Sequence, residues 1–366
     1  MTDDVAIIGA GVIGSSIAYH LAREGARVTL YDHVDAPAEP SASWASAGGV
    51  RSQNRDPREW ALTVAASARW PRLDEELGHQ TGFLPGGHLH VVEREADLPE
   101  LRARIERERA AGIRVEFVEG EQLRRIAPGL AAAVIAAAYT AGDGQADPRA
   151  TTYAFARAAT REGATFVRRY VERIATDRKS VVGIVVDGKT CAAGTTILAA
   201  GSWSMRLAAA IGLDLPVRIR GYQMVLSMPS RAVLTPTVTA QGRQLSLKQL
   251  RSGQFLIGGG WNTQVDEQAH TCTTIRENVD GNFATARAIV PQVAATTPAT
   301  AWGGLEGDAD DGVPLIGPTQ ELNGLYLAIG FSGHGFQISP AVGEAVAQAV
   351  RSGATPEALR ELSPLR

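Results

Sequence analysis

The residues with the clearest chemical potential are glycines near the start of the chain, in the run Gly9-Ala10-Gly11-Val12-Ile13-Gly14. In a turn with this spacing, the first glycine permits a tight bend, the second lets backbone approach a pyrophosphate, and the third allows a helix to pack closely on a strand. The start of that helix adds amide donors and the positive end of a helix dipole. Asp32 can accept hydrogen bonds from ribose hydroxyls. These residues therefore predict dinucleotide binding.

The surrounding pattern predicts the elements that such a turn requires. Residues 5–8 are a short apolar run of buried-strand length, and residues 28–31 are another, which ends beside Asp32. Between them, apolar residues recur every fourth position, which predicts a helix that Gly25 ends. A glycine motif alone is weak support. Strand, turn, helix, strand and acid in this order indicate a dinucleotide-binding fold.

Size and composition limit the remaining possibilities. A chain of 366 residues is too long for one compact core, so we expect two intimately joined lobes. The net charge of −3 gives no electrostatic reason to expect a nucleic-acid partner. Cys191 and Cys272 are far apart, which favours a reducing cytosol without a disulfide or a structural zinc site. With no signal peptide or bilayer-spanning stretch recognised, we expect a cytoplasmic protein.

The rest of the chain alternates predicted strands and helices. Strands dominate residues 80–140 and 215–295, which we assign to the second lobe as an antiparallel sheet. Residues 166–173 predict a single strand. A closing helix of small residues is predicted over about 341–351, after Pro340.

Four separated motifs carry a resemblance to a known family. In chain order they are Gly142 to Pro148, Ala200-Gly201-Ser202-Trp203, Trp302-Gly303-Gly304-Leu305-Glu306-Gly307 and Phe331-Ser332-Gly333-His334-Gly335-Phe336. With the N-terminal glycines, they resemble the sarcosine oxidase branch of the D-amino acid oxidase superfamily, which also contains glycine-oxidase-like proteins. The resemblance spans almost the whole chain. The last two motifs look most similar to those of sarcosine oxidase β-subunits.

The resemblance implies a mixed α/β fold, in which a Rossmann-like FAD-binding domain is interleaved with an antiparallel-sheet substrate domain. The FAD-binding domain would comprise residues 1–80, 140–214 and 296–366. The substrate domain would comprise residues 81–139 and 215–295.

The same resemblance implies a set of residues that contact FAD. Asp32 departs from the family's usual glutamate but keeps the carboxylate. Some family members attach FAD through a cysteine in the stretch matching residues 302–307, which contains none here, so we expect non-covalent FAD. The implied contacts are Gly9, Gly11, Val12, Ile13, Gly14, Asp32, His33, Ser43, Ser46, Gly48, Gly49, Val171, Gly201, Trp203, Gly304, Gly330, Ser332, Gly333, His334, Gly335, Phe336 and Gln337.

The implied reaction is oxidation of the C–N bond of a small amino acid, N-substituted amino acid or amine, giving an imine that water hydrolyses. Relatives hold the substrate carboxylate with basic residues, but Glu306, His334 and Gln337 stand at those places here. Arg51 and Arg55, which follow the cofactor loop, and Lys248 are alternative candidates, and Tyr222 and Trp302 could wall the pocket. The candidate catalytic residues are Arg51, Lys248, Tyr222, His334 and Gln337.

The acidic run Glu306, Asp308, Asp310 and Asp311 leaves two interpretations open. It is either a solvated loop or a surface that faces the substrate and favours a cationic molecule. It lacks the glycine and the final glutamate of a calcium loop, so we expect no metal.

Three function classes remain open. The first is a free-standing FAD-dependent amine or amino-acid oxidoreductase. The second is a β-type subunit of a heteromeric amino-acid or opine dehydrogenase that passes electrons to a partner subunit. The third, a nicotinamide-dependent dehydrogenase, rests on the N-terminal glycines alone. Leu256 aligns with a lysine that helps relatives react with oxygen, so we expect oxygen to be a slow electron acceptor.

Overall fold

The computed structural model describes residues 3–35 and 37–366. Its α-helices are α1 (Val12–Arg23), α2 (Ala42–Ala45), α3 (Trp60–Arg69), α4 (Leu73–Leu77), α5 (Leu98–Ala110), α6 (Gly120–Ile126), α7 (Pro148–Arg161), α8 (Ser204–Ala209), α9 (Arg276–Ile289), α10 (Gly335–Ser352) and α11 (Glu357–Arg360). Its strands are β1 (Asp3–Ile8), β2 (Val28–Asp32), β3 (Gly49–Val50), β4 (Leu84–Pro85), β5 (His88–Val92), β6 (Glu116–Glu119), β7 (Ala136–Thr140), β8 (Gly144–Gln145), β9 (Thr165–Arg168), β10 (Val171–Asp177), β11 (Ser180–Val186), β12 (Lys189–Leu198), β13 (Val217–Pro229), β14 (Thr237–Ala240), β15 (Arg243–Gln249), β16 (Gln254–Gly258), β17 (Gln264–Asp266), β18 (Thr271–Thr273), β19 (Pro298–Ala309), β20 (Leu315–Pro318) and β21 (Leu325–Ile329).

The first large sheet has parallel central strands in the order β9, β2, β1, β12 and β21. Helices α1, α7 and α10 pack on one face, and α8 packs on the other. Because both faces are covered, β1 and β2 are buried apolar runs rather than alternating ones. The strand–turn–helix–strand unit predicted at the start of the chain is therefore confirmed.

The single strand predicted over residues 166–173 is wrong. The chain forms β9, which pairs in parallel with β2, and then β10, which pairs antiparallel with β11. Arg169 and Tyr170 join the two strands outside the ladders. Residues with high β propensity lie on both sides of Arg169 and Tyr170, so the sequence gives no sign that the strand is interrupted there.

The closing helix begins at Gly335, before the predicted start at about residue 341, and contains Pro340 within it. Proline at this position removes the amide that would bond to the carbonyl of Phe336. The hydroxyl of Ser339 donates to that carbonyl instead, at 2.8 Å. With this carbonyl bonded, the helix continues through Pro340, after which the sequence pattern had predicted the helix to begin.

The second large sheet has the strand order β19, β13, β16, β15, β14, β5, β7 and β6. All neighbours are antiparallel except β14 and β5. One face packs against α6 and α9 in a single apolar cluster. The opposite face turns toward the first lobe. A contact across this boundary is the hydrogen bond from the indole nitrogen of Trp302 to the carbonyl of Ala45, at 3.0 Å. The antiparallel sheet predicted for the second lobe is confirmed in outline.

Strand β19 lies at the edge of this second sheet, although the expected domain boundary at residue 296 left it with the first lobe. It pairs along its length with β13. The predicted interpretation of a solvated acidic loop is wrong for Glu306 and Asp308, which lie in β19 and are partly buried. Asp310 and Asp311 are the exposed members of the acidic run.

The expected mixed α/β fold class, with a Rossmann-like sheet and an interleaved antiparallel sheet, is confirmed. Within residues 3–35 and 37–366, no helix is both long enough and apolar enough to span a bilayer.

Candidate cofactor and substrate site

The glycine turn between β1 and α1 has the geometry that its spacing predicts. Gly9 has a φ of 103°, and a Cβ there would lie 2.5 Å from the carbonyl oxygen of Ala199. A Cβ on Gly14 would lie 1.9 Å from the carbonyl oxygen of Gly9. Any side chain at either position would therefore displace backbone. The turn can approach a ligand closely only because these residues are glycine.

Polar side chains brace the same turn. Asp32 accepts a hydrogen bond from the amide of Ala10 at 2.8 Å, and Ser43 accepts one from the amide of Val12 at 2.9 Å. Asp32 also lies 3.1 Å from the imidazole of His33, and this hydrogen bond raises the pKa of His33. The carboxylate that was expected to bind a ribose thus also fixes the turn.

A cavity extends from this turn to the start of α10. It is lined by most of the residues expected to contact a dinucleotide cofactor, although these residues are far apart in the sequence. Those lining the cavity are Gly9, Gly11, Val12, Ile13, Asp32, His33, Ser43, Ser46, Val171, Gly201, Trp203, Gly330, Gly333, Gly335 and Phe336.

Both ends of the cavity present the start of a helix. Val12 begins α1 at one end, and Gly335 begins α10 at the other. Helix N-termini carry unsatisfied amides and a partial positive charge, so both suit an electron-rich ligand. The glycine turn, the carboxylate and these two helix ends fit an extended FAD.

Other predicted cofactor residues do not line this cavity. A Cβ on Gly304 would lie 2.2 Å from the Cβ of Ala45, so this glycine allows β19 to approach α2. A Cβ on Gly48 would lie 2.1 Å from the carbonyl oxygen of Ala146, and the neighbouring residue Gly49 pairs with β8. These glycines, like Gly14, allow packing around the site rather than forming its wall.

Ser332 also lies outside the cavity wall. Its hydroxyl links the C-terminal end of β19 to the turn that follows β21. It accepts from the amide of Ala309 and donates to the carbonyl of Gly330, both at 3.1 Å. Ser332 has a φ of 50°, which is unusual for a residue other than glycine. Its two hydrogen bonds hold that turn at the start of α10.

The structure corrects the expectation that Gln337 contacts FAD and takes part in catalysis. Its side chain is buried and donates to the carbonyl of Thr63 at 3.2 Å and to the hydroxyl of Ser67 at 3.1 Å. It therefore ties α10 to α3. The helix begins earlier than predicted, which turns this residue away from the cavity.

His334, which is partly exposed, pairs with a buried glutamate that the sequence did not indicate as its partner. Its Nε2 lies 2.9 Å from both carboxylate oxygens of Glu59, and its Nδ1 lies 3.0 Å from the carbonyl of Ser332. Glu59 is 1% exposed. Because 275 residues separate the partners, no local pattern could have revealed the pair. His334 anchors the first turn of α10 rather than lining the cavity.

The cavity also has walls that the sequence did not predict. Arg169 and Tyr170, in the break between β9 and β10, line one end. His270, between β17 and β18, stacks on Trp203 with ring centroids 5.3 Å apart and lines the wall with it. No local sequence signal marks these contacts, because each comes from a segment remote from the glycine turn. Glu306 of β19, which belongs to the acidic run that could face the substrate, lines the cavity as well.

Lys248 lies on the face of the second sheet that turns toward the first lobe. Its neighbour Leu247 points into the apolar cluster under α9, so Lys248 points to the opposite side. It is 6% exposed, and burial lowers the pKa of its amine from 10.5 to about 8. Among the described residues, its ammonium has neither a hydrogen-bond acceptor nor an ion-pair partner.

Arg51 lies beside the same face, in the segment after β3. Burial, and then the charge of Arg55, lowers the pKa of Arg51 to about 9. Arg55 donates to the backbone carbonyl of Arg51 at 3.1 Å, and its Nε has no partner in the described structure. The guanidinium of Arg51 likewise has no hydrogen-bonded acceptor among these residues. Both arginines therefore retain donors for an anionic ligand.

Tyr222 and the two acids of β19 form a separate polar group on this face. The Tyr222 hydroxyl donates to the carboxylate of Asp308, and burial raises the pKa of Tyr222. Burial, with the neighbouring charge of Asp308, raises the pKa of Glu306 to about 8. The five candidate catalytic residues thus do not form one cluster: Tyr222, Arg51 and Lys248 lie around the sheet face, while His334 and Gln337 support α10.

Comparisons with known proteins agree with this site. A family model described as "DAO: FAD dependent oxidoreductase" matches residues 4–349. Glycine oxidase of Pseudomonas aeruginosa is 31% identical over 353 residues, covering 93% of each chain. Sarcosine oxidase subunit beta of an Arthrobacter species is 24% identical over 361 residues, covering 95% of this chain and 86% of that one. The crystal structure of L-proline dehydrogenase from P. horikoshii has a TM-score of 0.91 at 26% identity, covering 100% of this chain and 97% of that one.

The fold and the cavity define a flavin-dependent oxidoreductase. The chain belongs to the DAO family of FAD-dependent oxidoreductases, as the match over residues 4–349 shows. The expected resemblance to the glycine oxidase and sarcosine oxidase branch is confirmed by the relatives of both kinds. The expected cofactor, FAD, is therefore confirmed, and the alternative of a nicotinamide-dependent dehydrogenase is excluded.

Proposed function

We propose that the enzyme oxidises the C–N bond of a small amino acid, N-substituted amino acid or amine, and that water hydrolyses the resulting imine. The observation that carries this proposal is a pair of basic residues, the partly buried Arg51 and the buried Lys248, neither of which has an acidic hydrogen-bonding partner among the described residues. They lie on or beside the face of the second sheet that turns toward the first lobe, and they are not among the residues that line the cofactor cavity, to which β19 contributes Glu306. Such residues suit a substrate carboxylate.

FAD, when bound, supplies the acceptor for the hydrogen and electron pair that leave the α-carbon. The chain's own residues have to bind the substrate, orient it and exclude water. We assign the substrate carboxylate to Arg51, whose guanidinium offers a planar set of donors. Tyr222 and Trp302 flank the region from β13 and β19. No protein base is required if the amine arrives neutral.

The Glu59–His334 pair has a positioning role in this proposal. It holds the residue immediately before α10, and the first residues of α10 line the cavity. The amides at this helix start favour negative charge that develops on a bound electron acceptor. The pair therefore fixes the donors without touching the reacting atoms itself.

The proposal is tested by screening the FAD-loaded enzyme without oxygen against amino acids, N-methyl amino acids, opines and simple amines. A substrate bleaches the absorbance of oxidised flavin near about 450 nm and yields a keto or aldehyde product. Reaction with 2-hydroxy acids, but with no amine of the panel, would exclude C–N oxidation.

A second candidate function is that of a β-type subunit that passes electrons to a partner subunit. Its support is the similarity, along 95% of this chain, to sarcosine oxidase subunit beta. Purification from the native source distinguishes the two functions. A single polypeptide with full activity favours the free-standing enzyme, and a stoichiometric second chain required for turnover favours the subunit.

A further inference from the structure

A hairpin of the second lobe reaches the cofactor cavity. Its strands, β17 and β18, pair with each other and with no other described strand. The turn between them ends at His270, whose side chain lines the cavity. Ala269 and His270, together with residues 305–307 of β19, are the described cavity-lining residues that come from the second lobe. The hairpin is therefore placed to contact the cofactor from the side opposite the first lobe.

Two glycines of the second sheet let this hairpin pack closely on β13 and β19. A Cβ on Gly221 would lie 1.9 Å from Oγ1 of Thr263, and a Cβ on Gly303 would lie 2.8 Å from Sγ of Cys272. The amide of Thr263 also donates to the carbonyl of Gly221 at 2.9 Å. Glycine within a strand commonly marks such a close approach of another segment. Both strands of the hairpin are thus held against the sheet.

The turn of the hairpin fixes the orientation of His270. The carboxylate of Asp266 accepts from the amides of Gln268 and Ala269, at 3.0 and 2.9 Å. His270 itself has a φ of 51°, a conformation that histidine adopts more readily than most residues other than glycine. Its ring stacks on Trp203 of the first lobe, with 20° between the ring planes. The hairpin therefore meets the first lobe through this stacked pair.

The stacked pair lies between the two ends of the cavity. The segment that leads to Trp203 contacts the glycine turn, because a Cβ on Gly9 would lie 2.7 Å from Cα of Ala200. One residue later, the carbonyl oxygen of Gly201 lies 3.6 Å from the position of a Cβ on Gly307, near the end of β19. An extended FAD has its ribityl chain between the pyrophosphate and the flavin ring, so this chain belongs to the middle of the cavity.

The imidazole of His270 has a hydrogen-bond acceptor without a donor. Its Nε2 is buried and has no partner among the described residues. The carbonyl of Ser202 accepts a hydrogen bond from the ring, so the proton is on the other nitrogen, Nδ1. Burial lowers the pKa of His270, which favours the neutral ring. In this tautomer Nε2 can only accept a hydrogen bond.

We propose that Nε2 of His270 accepts a hydrogen bond from a hydroxyl of the ribityl chain of FAD, so that the β17–β18 hairpin holds the cofactor from the second lobe. Ribityl hydroxyls can donate, whereas phosphate oxygens accept and do not match this tautomer. The ribose hydroxyls are at the other end of the cavity, beside Asp32. This contact concerns FAD binding and is independent of the proposed C–N oxidation.

The test compares FAD with ADP, which has the adenosine and pyrophosphate of FAD but lacks the ribityl chain. Both ligands are titrated into the apoprotein by calorimetry. His270→Phe keeps an aromatic ring beside Trp203 and removes Nε2. We expect the Kd for FAD to rise about fivefold or more, because a buried hydroxyl loses its acceptor, while the Kd for ADP stays unchanged.

The matched control is His79→Phe. His79 also contacts an aromatic ring, that of Tyr153, with ring centroids 6.2 Å apart, but it does not line the cavity. This variant should change neither Kd. If His270→Phe does not fold, His270→Asn replaces it, because asparagine suits the same backbone conformation.

A second measurement reads the contact in the unaltered protein. The chain has seven histidines, and ¹⁵N-labelled histidine reports the protonation of each ring nitrogen by NMR. The resonances of His270 are those lost in the His270 variant. Addition of FAD should shift Nε2 toward a hydrogen-bonded acceptor with Nδ1 still protonated, and ADP should not.

Two results would overturn this contact. Equal weakening of FAD and ADP by the His270 variant would place the histidine at the pyrophosphate half of the cofactor, as would a protonated Nε2 in the FAD complex. An unchanged Kd for FAD, with no shift of Nε2, would remove the contact altogether. In either case the amine screen of the FAD-loaded enzyme would still decide the proposed C–N oxidation by itself.

Discussion

Replacing Lys248 by methionine is expected to stabilise the apoprotein while weakening the site. The pKa of this buried amine lies at about 8 in the folded chain, against 10.5 when exposed. At about 1.36 kcal/mol per pKa unit, holding the charged form in the fold costs about 3 kcal/mol at most. Methionine has a similar length and no charge, so it removes this cost with little change in packing.

The pH dependence has a definite sign. The folded pKa is lowered, so the unfolded chain binds the proton more tightly, and the cost is fully present below pH 8. It falls as pH rises, to about 1.4 kcal/mol at pH 9.5, and disappears above the unfolded pKa. The stability advantage of Lys248→Met should therefore shrink over this range.

The assay is urea unfolding of the apoprotein at pH 7 and 9.5, because bound FAD would add its own stabilisation. The control, Lys189→Met, changes an exposed lysine and should alter the free energy of unfolding by less than about 0.5 kcal/mol. If Lys248→Met lowered stability at pH 7, or gave the same change at both pH values, the ammonium would have a partner that stabilises it.

Four further predictions concern the cofactor and the reaction. Asp32→Ala should weaken FAD binding at least about tenfold, since Asp32 fixes the turn and can bind a ribose; unchanged flavin content after dialysis would contradict this. Arg51→Gln should raise KM for a carboxylate-bearing substrate with little loss of flavin, whereas an unaltered kcat/KM would place the carboxylate elsewhere. FAD should be released intact by acid precipitation, and flavin remaining on the pellet would show a covalent bond. Reoxidation by oxygen should be slower than by a phenazine dye, because Leu256 offers no positive charge; stopped-flow mixing decides it, and oxygen reacting faster than turnover would indicate an oxidase.

The elements governed by local signals could be predicted from the sequence. The first strand, the glycine turn and α1 follow from apolar spacing and from the glycines, which act within a few residues. The place of β19 could not be predicted in this way, because its ladder with β13 joins residues that are about 70 to 90 positions apart. That pairing is what buries Glu306.

The same distinction, between local signals and contacts of remote segments, applies to the residues of the candidate site. Residues of the glycine turn were identified because their spacing encodes their role. The orientation of Gln337 depends on α10 beginning at Gly335, before Pro340, and the hydroxyl of Ser339 bonds to the carbonyl that the proline leaves without an amide. The Glu59–His334 pair and the burial of Lys248 arise only when remote segments meet, so no local pattern marks them.

The most direct test of the account is anaerobic mixing of the FAD-loaded enzyme with a panel of secondary amines and amino acids. At least one amine bearing a carboxylate is expected to bleach the flavin absorbance, and a carbonyl product and the released amine should appear in equal amounts. Stable flavin absorbance with every amine, together with bleaching by a substrate that lacks nitrogen, would contradict it.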